Sequence, residues 1–543
     1  PFIFKLVLNA WMIEQFGVDA LTEHKDTDGR SIPPIRRLAH TIIDEDKEGL
    51  HEDGRHRFFR ELNANWPASA KVSAAELAAY EDNILAHTKT LNDRRQAGGE
   101  RRIVWKYFQW LSLIFTERYL DLFFHQPAQL LDSLNEFLLR FNAWRTAARL
   151  PTTVEPFTVA DLNRLCFQNA TGSGKTFLMH ANVLQFRHYA KLSNRENEFS
   201  RSVLITPNES LTEQHLRELG QNGIASQRFR ADLLGSPDLG RVDVIEITKL
   251  GEVRRENTVA VSEFGDNNLL LVDEGHRGLG SEEETGWLKR REAIAARGFV
   301  FEYSATFAQA VAAAGSESIT QTYAKSVLFD YSYRYFYEDG FGKDYSILNL
   351  AKEGADMRRY LTACLLAYFQ QLRLYDRDTL ALRPFNLEKP LWVFVGGSVS
   401  KPGGANQDEK AAIADVARIV LFLGEFVADP ATSKKDIQLL LTQSGAANGM
   451  VDADGNDIFA SCFPVLQNML GAGGTVDEIY GSILGEVFQA RSGGILRITR
   501  IKGDSGEIHL RVGHAERPFG LINVGDAKGL ADNRRPRLNG RQD

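Results

Sequence analysis

The sequence predicts an α/β protein: a mainly helical stretch over residues 1–150, then two lobes built on parallel sheets. Three observations carry this expectation. Short apolar runs at 165–168, 202–206, 242–247, 269–272 and 299–303 alternate with segments of helical apolar spacing, the pattern of strand–helix–strand units. Each run stops at small or polar residues, where open α/β sheets place their chemistry. Before residue 150 the apolar residues instead recur at helical spacing.

The helical part is densest at 105–124 (WKYFQWLSLIFTERYLDLFF), breaks at Pro127 and resumes over 130–141. Leu and Ile interleave with the rings on all sides, so this helix is expected in a helical core rather than as a stacking platform for bases. Arg101, Arg102 and Lys106 follow a Gly-rich loop and read as an exposed basic turn. Pro151 and Pro156 mark a boundary, and the first lobe is expected over 151–326. Aromatic and polar residues alternate over 327–350 around Asp339-Gly340. This stretch is expected to be extended chain or a hairpin, bridging two domains across 327–388 together with a helix at 357–374. The second lobe is expected over 389–543, starting with a strand at 391–395 that enters Gly396-Gly397-Ser398. Later runs at 495–501 and 507–512 flank Gly503-Asp504-Ser505-Gly506, a hairpin signal, and 519–524 reads as a further strand.

A net charge of −7 over 543 residues excludes a broad basic field, so any nucleic-acid site must be a local groove. Cys166, Cys364 and Cys462 are too far apart for a disulfide framework or zinc spacing, which fits a reducing cytoplasm. No stretch approaches the ~20 apolar residues that span a bilayer, and no membrane contact is expected. The chain begins at Pro1 and is expected to be a trimmed or partial sequence.

The stretch that organises the chain is Ala170-Thr171-Gly172-Ser173-Gly174-Lys175-Thr176. A strand enters it and a helix leaves it. Glycines at 172 and 174 let the backbone approach phosphates, and the helix start directs N–H groups at the anion. Lys175 can reach the β and γ oxygens of ATP, and the Thr176 hydroxyl can ligate Mg²⁺. The general phosphate-loop pattern has glycine where this chain has Asn169. About a hundred residues on, an apolar strand ends in Asp273-Glu274-Gly275-His276. ATP hydrolysis needs one acid on the Mg²⁺ shell and another near the attacking water; Asp273 fits the first role and Glu274 the second.

The order ATGSGKT, VLITPNESLTEQ, DEGH, YSAT resembles that of superfamily-two helicase ATPases. WKYFQWLSLIFTERYLDLFF, DYSYRYFYEDGFGKDY and FGLINVGDAKGL look like the restriction-subunit branch, the type III restriction enzyme Res family. The resemblance runs from about position 100 to 530. It implies two RecA-like lobes. It implies that His276, and Ser304, Ala305 and Thr306 after the last strand, couple the nucleotide to movement. It also implies that Pro207 and Asn208 meet the nucleic-acid backbone, with the Ser398 turn on the second lobe. Double-stranded DNA and a modification (methyltransferase) subunit are the partners it suggests.

The chain departs from that family in one respect. No Gln-x-x-Gly-Arg-x-x-Arg run, the source of an arginine finger, occurs before Asp543. Arg534, Arg535 and Arg537 surround Pro536 without that frame, and Arg541 follows. Residues 1–543 are therefore expected to end inside the second lobe. They are expected to bind nucleotide but hydrolyse it slowly, since such a finger contributes roughly 10³–10⁵ in rate. Asp526-Ala527-Lys528 is a poor nuclease candidate. A stand-alone DNA or RNA helicase and a nucleotide-gated nucleic-acid sensor that recruits a partner remain open alternatives.

Overall fold

The computed structural model describes residues 6–150, 153–229, 238–252, 258–277, 282–350, 357–385, 387–394, 415–500 and 507–523. The chain divides into two units, Pro1–Asp344 and Tyr345–Asp543.

The first unit opens with α1 (Val7–Gln15), α2 (Pro34–Ala39), α3 (Arg57–Ala64), α4 (Ala74–Ala97), α5 (Tyr107–His125) and α6 (Pro127–Ala147). Local chemistry sets several of their ends. Ser73 and Glu76 form a reciprocal capping box at the start of α4, which satisfies two otherwise orphaned donors. Pro127 occupies the first turn of α6, where its missing N–H costs nothing. Helix α5 is buried on almost every face, as its all-round apolar pattern requires. It packs against α4, α6 and α7 (Lys175–Leu192) and against strand β9 (Val327–Tyr331). Two of its buried polar groups find partners outside the helix: the Tyr119 hydroxyl donates to Leu162 O at 2.9 Å and the Trp110 indole N–H to Glu81 Oε2 at 2.9 Å.

After α6 the chain alternates strands and helices. The remaining strands of this unit are β1 (Arg164–Asn169), β2 (Arg201–Thr206), β3 (Ser226–Arg228), β4 (Asp238–Glu246), β5 (Leu250–Gly251), β6 (Val259–Ala260), β7 (Leu269–Asp273) and β8 (Phe299–Ser304). The remaining helices are α8 (Glu209–Gln221), α9 (Glu282–Ile294), α10 (Phe307–Ala314), α11 (Glu317–Ser326) and α12 (Tyr333–Glu338). Seven strands form one sheet in the order β3-β4-β2-β7-β8-β1-β9, and every pairing in it is parallel. Alternate residues serve opposite faces. On β7, Leu269 and Leu271 join the larger core shared with the N-terminal helices, while Leu270 and Val272 join a second core with Phe264 and Ile294. This is the layering expected of a RecA-like lobe with a helical N-terminal region. The helices of 1–150 share the sheet's core, and the compact unit runs on to Asp344.

The hairpin expected over 327–350 is corrected. Residues 327–331 are all buried, and β9 pairs parallel with β1 at the sheet edge. An uninterrupted buried run is the signature of a parallel strand rather than of a half-exposed hairpin arm. Asp339-Gly340 is not a strand turn. It ends α12, with Gly340 at φ +78° and its N–H donating to Tyr337 O at 2.9 Å, the glycine stop common at helix ends.

The second unit contains α13 (Met357–Leu382), α14 (Asp415–Ala428), α15 (Pro430–Thr442), α16 (Pro464–Gly471) and α17 (Val476–Glu486) around a core that includes Phe369, Phe426 and Ile483. Strands β10 (Leu496–Arg500), β11 (Glu507–Val512) and β12 (Gly520–Asn523) form an antiparallel sheet. The 496–512 hairpin pairing matches the sequence reading, but the second parallel lobe does not: the sheet among the described residues of this unit is antiparallel. Residues 391–394 are not a strand. Leu391 and Val393 are exposed, and Trp392 anchors the run by packing on Tyr368 with ring centroids 5.7 Å apart. A run of four apolar residues resembles a buried strand in composition whether or not a neighbour pairs with it. The Gly396-Gly397-Ser398 turn, Asp526–Lys528 and the arginines after 533 lie outside the described residues.

Candidate functional site

Parallel pairing sends every carboxyl end of the seven-stranded sheet to one edge. The register aligns Gln168 with Ser304 and Asp273 with Tyr303, so the loop after β1, the acidic pair after β7 and the Ser-Ala-Thr turn after β8 converge there.

The loop is held by its own backbone. Ala170 N–H donates to Tyr331 O at 2.9 Å, and Ser173 N–H to Ala170 O at 3.1 Å. Gly172 and Gly174 have φ of +86° and +84°, a region in which a side chain is strained. A Cβ on Gly174 would also lie 2.4 Å from Gln109 Nε2. Among the described residues no side chain caps α7, so the start of the helix keeps its dipole and N–H groups for an anion. Thr171 is exposed, Thr176 is half-buried, and Ser173 is buried with its hydroxyl unpartnered among the described residues.

Gln109, on α5, escaped the sequence reading. Its Nε2 donates to Ser173 O at 2.8 Å while its Oε1 accepts from Lys106 N–H at 2.9 Å. One side chain thus closes the first turn of α5 and ties the N-terminal helices to the loop. The available signal was a polar residue set between two rings, Phe108 and Trp110.

At the end of β7 the backbone turns sharply. Glu274 has φ +53°, a left-handed conformation that costs a non-glycine residue roughly 1–3 kcal/mol and tends to persist at functional sites. Gly275 N–H donates to Tyr303 O at 2.9 Å, and a Cβ there would lie 2.9 Å from Glu302 Oε2. The third position of Asp-Glu-Gly-His is therefore closely packed against β8.

The turn aims the Glu274 carboxylate at two partners. Lys175 Nζ lies 3.3 Å from Oε1, and His276 Nδ1 lies 3.3 Å from Oε2. The hydrogen bond from His276 and the positive charge of Lys175 outweigh partial burial and hold the carboxyl at about 2. It is ionised at neutral pH. His276 Nδ1 also lies 2.8 Å from Ser304 Oγ, which accepts from Thr306 N–H at 3.0 Å. Ala305, between them, is half-buried. An unbroken polar path therefore joins Lys175, Glu274, His276, Ser304 and Thr306.

The Asp273 carboxylate is held at both oxygens. Oδ1 accepts from Glu274 N–H at 3.0 Å, and Oδ2 lies 2.9 Å from His215 Nε2 on α8. His215 is a second residue missed in sequence, because it sits mid-helix without a motif. Pro207 is buried and Asn208 exposed, but the Asn208 side chain caps α8, its Oδ1 accepting from Leu211 N–H at 3.0 Å. Asn208 thus has a structural task in addition to any contact with nucleic acid. Ser398 lies outside the described residues, so its place relative to this edge stays an expectation.

The donor set suits the groups expected here. A carboxylate and a hydroxyl are the hard oxygen ligands that Mg²⁺ takes. A glycine-lined loop with a buried, unpartnered hydroxyl and a lysine beside it suits a polyphosphate.

No curated protein matches the chain. Residues 129–309 match the family described as type III restriction enzyme, res subunit, and that span includes the phosphate loop, Asp273–His276 and Ser304–Thr306 but not Gln109. Residues 129–309 are thus a domain of the type III restriction enzyme res-subunit family, a helicase-type ATPase domain.

Proposed function

We propose that this chain is the motor of an ATP-dependent double-stranded DNA translocase belonging to a type III-like restriction or phage-defence enzyme, acting in the cytoplasm beside a modification subunit. The observation that carries the ATPase part is the meeting of Lys175 and Glu274 at one sheet edge, 3.3 Å apart. The family match supports the restriction context. Among the described residues no helix is long and apolar enough to cross a membrane.

In this reading the N–H groups of 172–176 cradle the phosphates of ATP. Thr176 and Asp273 hold Mg²⁺, which neutralises charge on the β and γ oxygens when bound. Lys175 turns from Glu274 to the phosphate oxygens, so Glu274 loses the positive charge beside it and becomes a stronger base. Glu274 then takes a proton from the water whose oxygen attacks the γ-phosphorus as the bond to the leaving phosphate oxygen breaks. His276, bridging Glu274 and Ser304, registers that change at the β8 turn. DNA contacts should be mostly to phosphates and therefore weak in sequence preference.

The test is nucleotide affinity and ATP turnover of residues 1–543, with and without duplex DNA. Lys175→Ala removes a charge-assisted bond to phosphate worth ~1.5–3 kcal/mol, so nucleotide affinity should fall ~10–100-fold. Equal affinity in the variant and the parent would refute the assignment of the loop.

A further inference from the structure

Beyond the residues the motifs supply, the geometry points to His215 as a positioning residue that holds Asp273 in the orientation a divalent cation requires. This rests on the ATP–Mg²⁺ reading above.

His215 lies on α8, and its side chain is almost wholly enclosed, 2% exposed. Its Nε2 is 2.9 Å from Asp273 Oδ2. A carboxylate only accepts, so Nε2 carries the proton and donates it to the bond. The opposite ring nitrogen, Nδ1, is buried and has no hydrogen-bond partner among the described residues, so the pair at Asp273 is the one polar bond the ring makes there. A buried imidazole that makes a single side-chain bond, to a carboxylate at the mouth of a phosphate site, orients that carboxylate.

The rest of the Asp273 environment agrees. Glu274 N–H occupies a lone pair on Oδ1. The two donors together fix both rotation and tilt of the carboxylate, and each oxygen keeps lone-pair capacity for a further ligand. The Asp273 side chain is 12% exposed, so a hydrated cation can reach it. Groups that hold a ligating carboxylate typically change metal affinity or activity 10–100-fold when removed.

Helix α8 also begins at Asn208, the segment expected to face nucleic acid. On its inner side it sits beside His180 of α7, whose ring contacts Asn222, and Asn222 in turn accepts from Arg95 of α4. His215 therefore makes the cation site depend on the placement of α8, so that movement of this helix changes the grip of Asp273 on the metal. No change of charge on the imidazole is needed.

The experiment uses residues 1–543 and a fluorescent ADP analogue. Affinity is measured first in EDTA and then as Mg²⁺ is titrated in, for the parent, His215→Ala, His215→Gln and Lys175→Ala. The expected result is that His215→Ala raises the half-saturating Mg²⁺ concentration ~10–100-fold and leaves affinity in EDTA unchanged. His215→Gln, which keeps an N–H donor, recovers most of the loss. Lys175→Ala should instead lower affinity in EDTA, which locates the probe at the loop. An unchanged Mg²⁺ titration in His215→Ala would overturn the inference alone. So would a fall in EDTA affinity matching the loss in Mg²⁺, with no rescue by Gln, because that pattern describes a packing role. Absence of Lys175-dependent nucleotide binding by the parent would overturn the ATPase reading itself.

Discussion

Glu274→Gln is expected to leave nucleotide bound and to lower ATP turnover by ~10²–10⁴-fold, the usual contribution of a positioned general base. The two side chains have the same shape, so the left-handed turn at 274 and the packing of Gly275 against β8 should survive. What changes is chemistry. The amide cannot accept a proton from water, and it offers Lys175 a dipole where the carboxylate offered a full charge at 3.3 Å. Losing that competitor should free Lys175 for phosphate, so affinity should hold or rise slightly. His276 loses a charged partner but keeps Ser304 Oγ at 2.8 Å. Single-turnover hydrolysis, compared with nucleotide affinity in the same preparation, separates the two effects. A variant that hydrolyses ATP at the parent's rate would remove Glu274 from the reaction. A variant that loses both binding and turnover would mean that the carboxylate serves the fold of the loop instead.

How much of this site could be read from sequence follows from where its residues sit. Loop residues 170–176, the acids at 273–274 and the turn at 304–306 occupy fixed places at the ends of strands, and strands buried on both faces are visible as apolar runs. Gln109 and His215 act across the fold, each from a helix whose pattern is read for burial, and nothing in the local spacing says which strand end it will face. Asp339-Gly340 misled for a related reason. A Gly after an Asp suits both a tight strand turn and a helix stop, and only the parallel pairing of β9 with β1 decides between them. Leu391–Phe394 misled because hydropathy scores a side chain without asking whether the backbone finds a ladder. In the region up to 150, burial of the aromatic helix was legible, but its contact with the phosphate loop was not, since that contact is made by one polar side chain.

That aromatic helix also holds a carboxyl group whose titration should be felt by the whole first unit. Glu117, in α5, is fully buried. It accepts from Asn83 Nδ2 at 2.9 Å, Gln185 Nε2 at 2.7 Å and the Tyr189 hydroxyl at 2.8 Å. Burial is the largest influence and favours the neutral acid. The three donors favour the carboxylate, nearby Asp121 opposes them, and the net result lifts the group from 4.5 to about 7. The folded state therefore holds this proton more tightly than the unfolded chain does. Its contribution to stability is complete below about pH 4.5 and is lost as the pH rises through about 7, a change on the order of 3 kcal/mol. Carboxylates held low, such as Glu274, drive stability in the opposite direction, so the total curve will not reveal Glu117 by itself. The difference between the parent and Glu117→Gln will, because the amide mimics the neutral acid and does not titrate. Denaturant unfolding of the two proteins should give similar stabilities near pH 4.5 and a gap favouring the Gln variant that opens to a few kcal/mol by pH 8. The transition followed should be that of the first unit, reported by the buried Trp105 and Trp110. A gap that stays constant across this range would mean that Glu117 keeps its charge in the core, with its three donors outweighing burial.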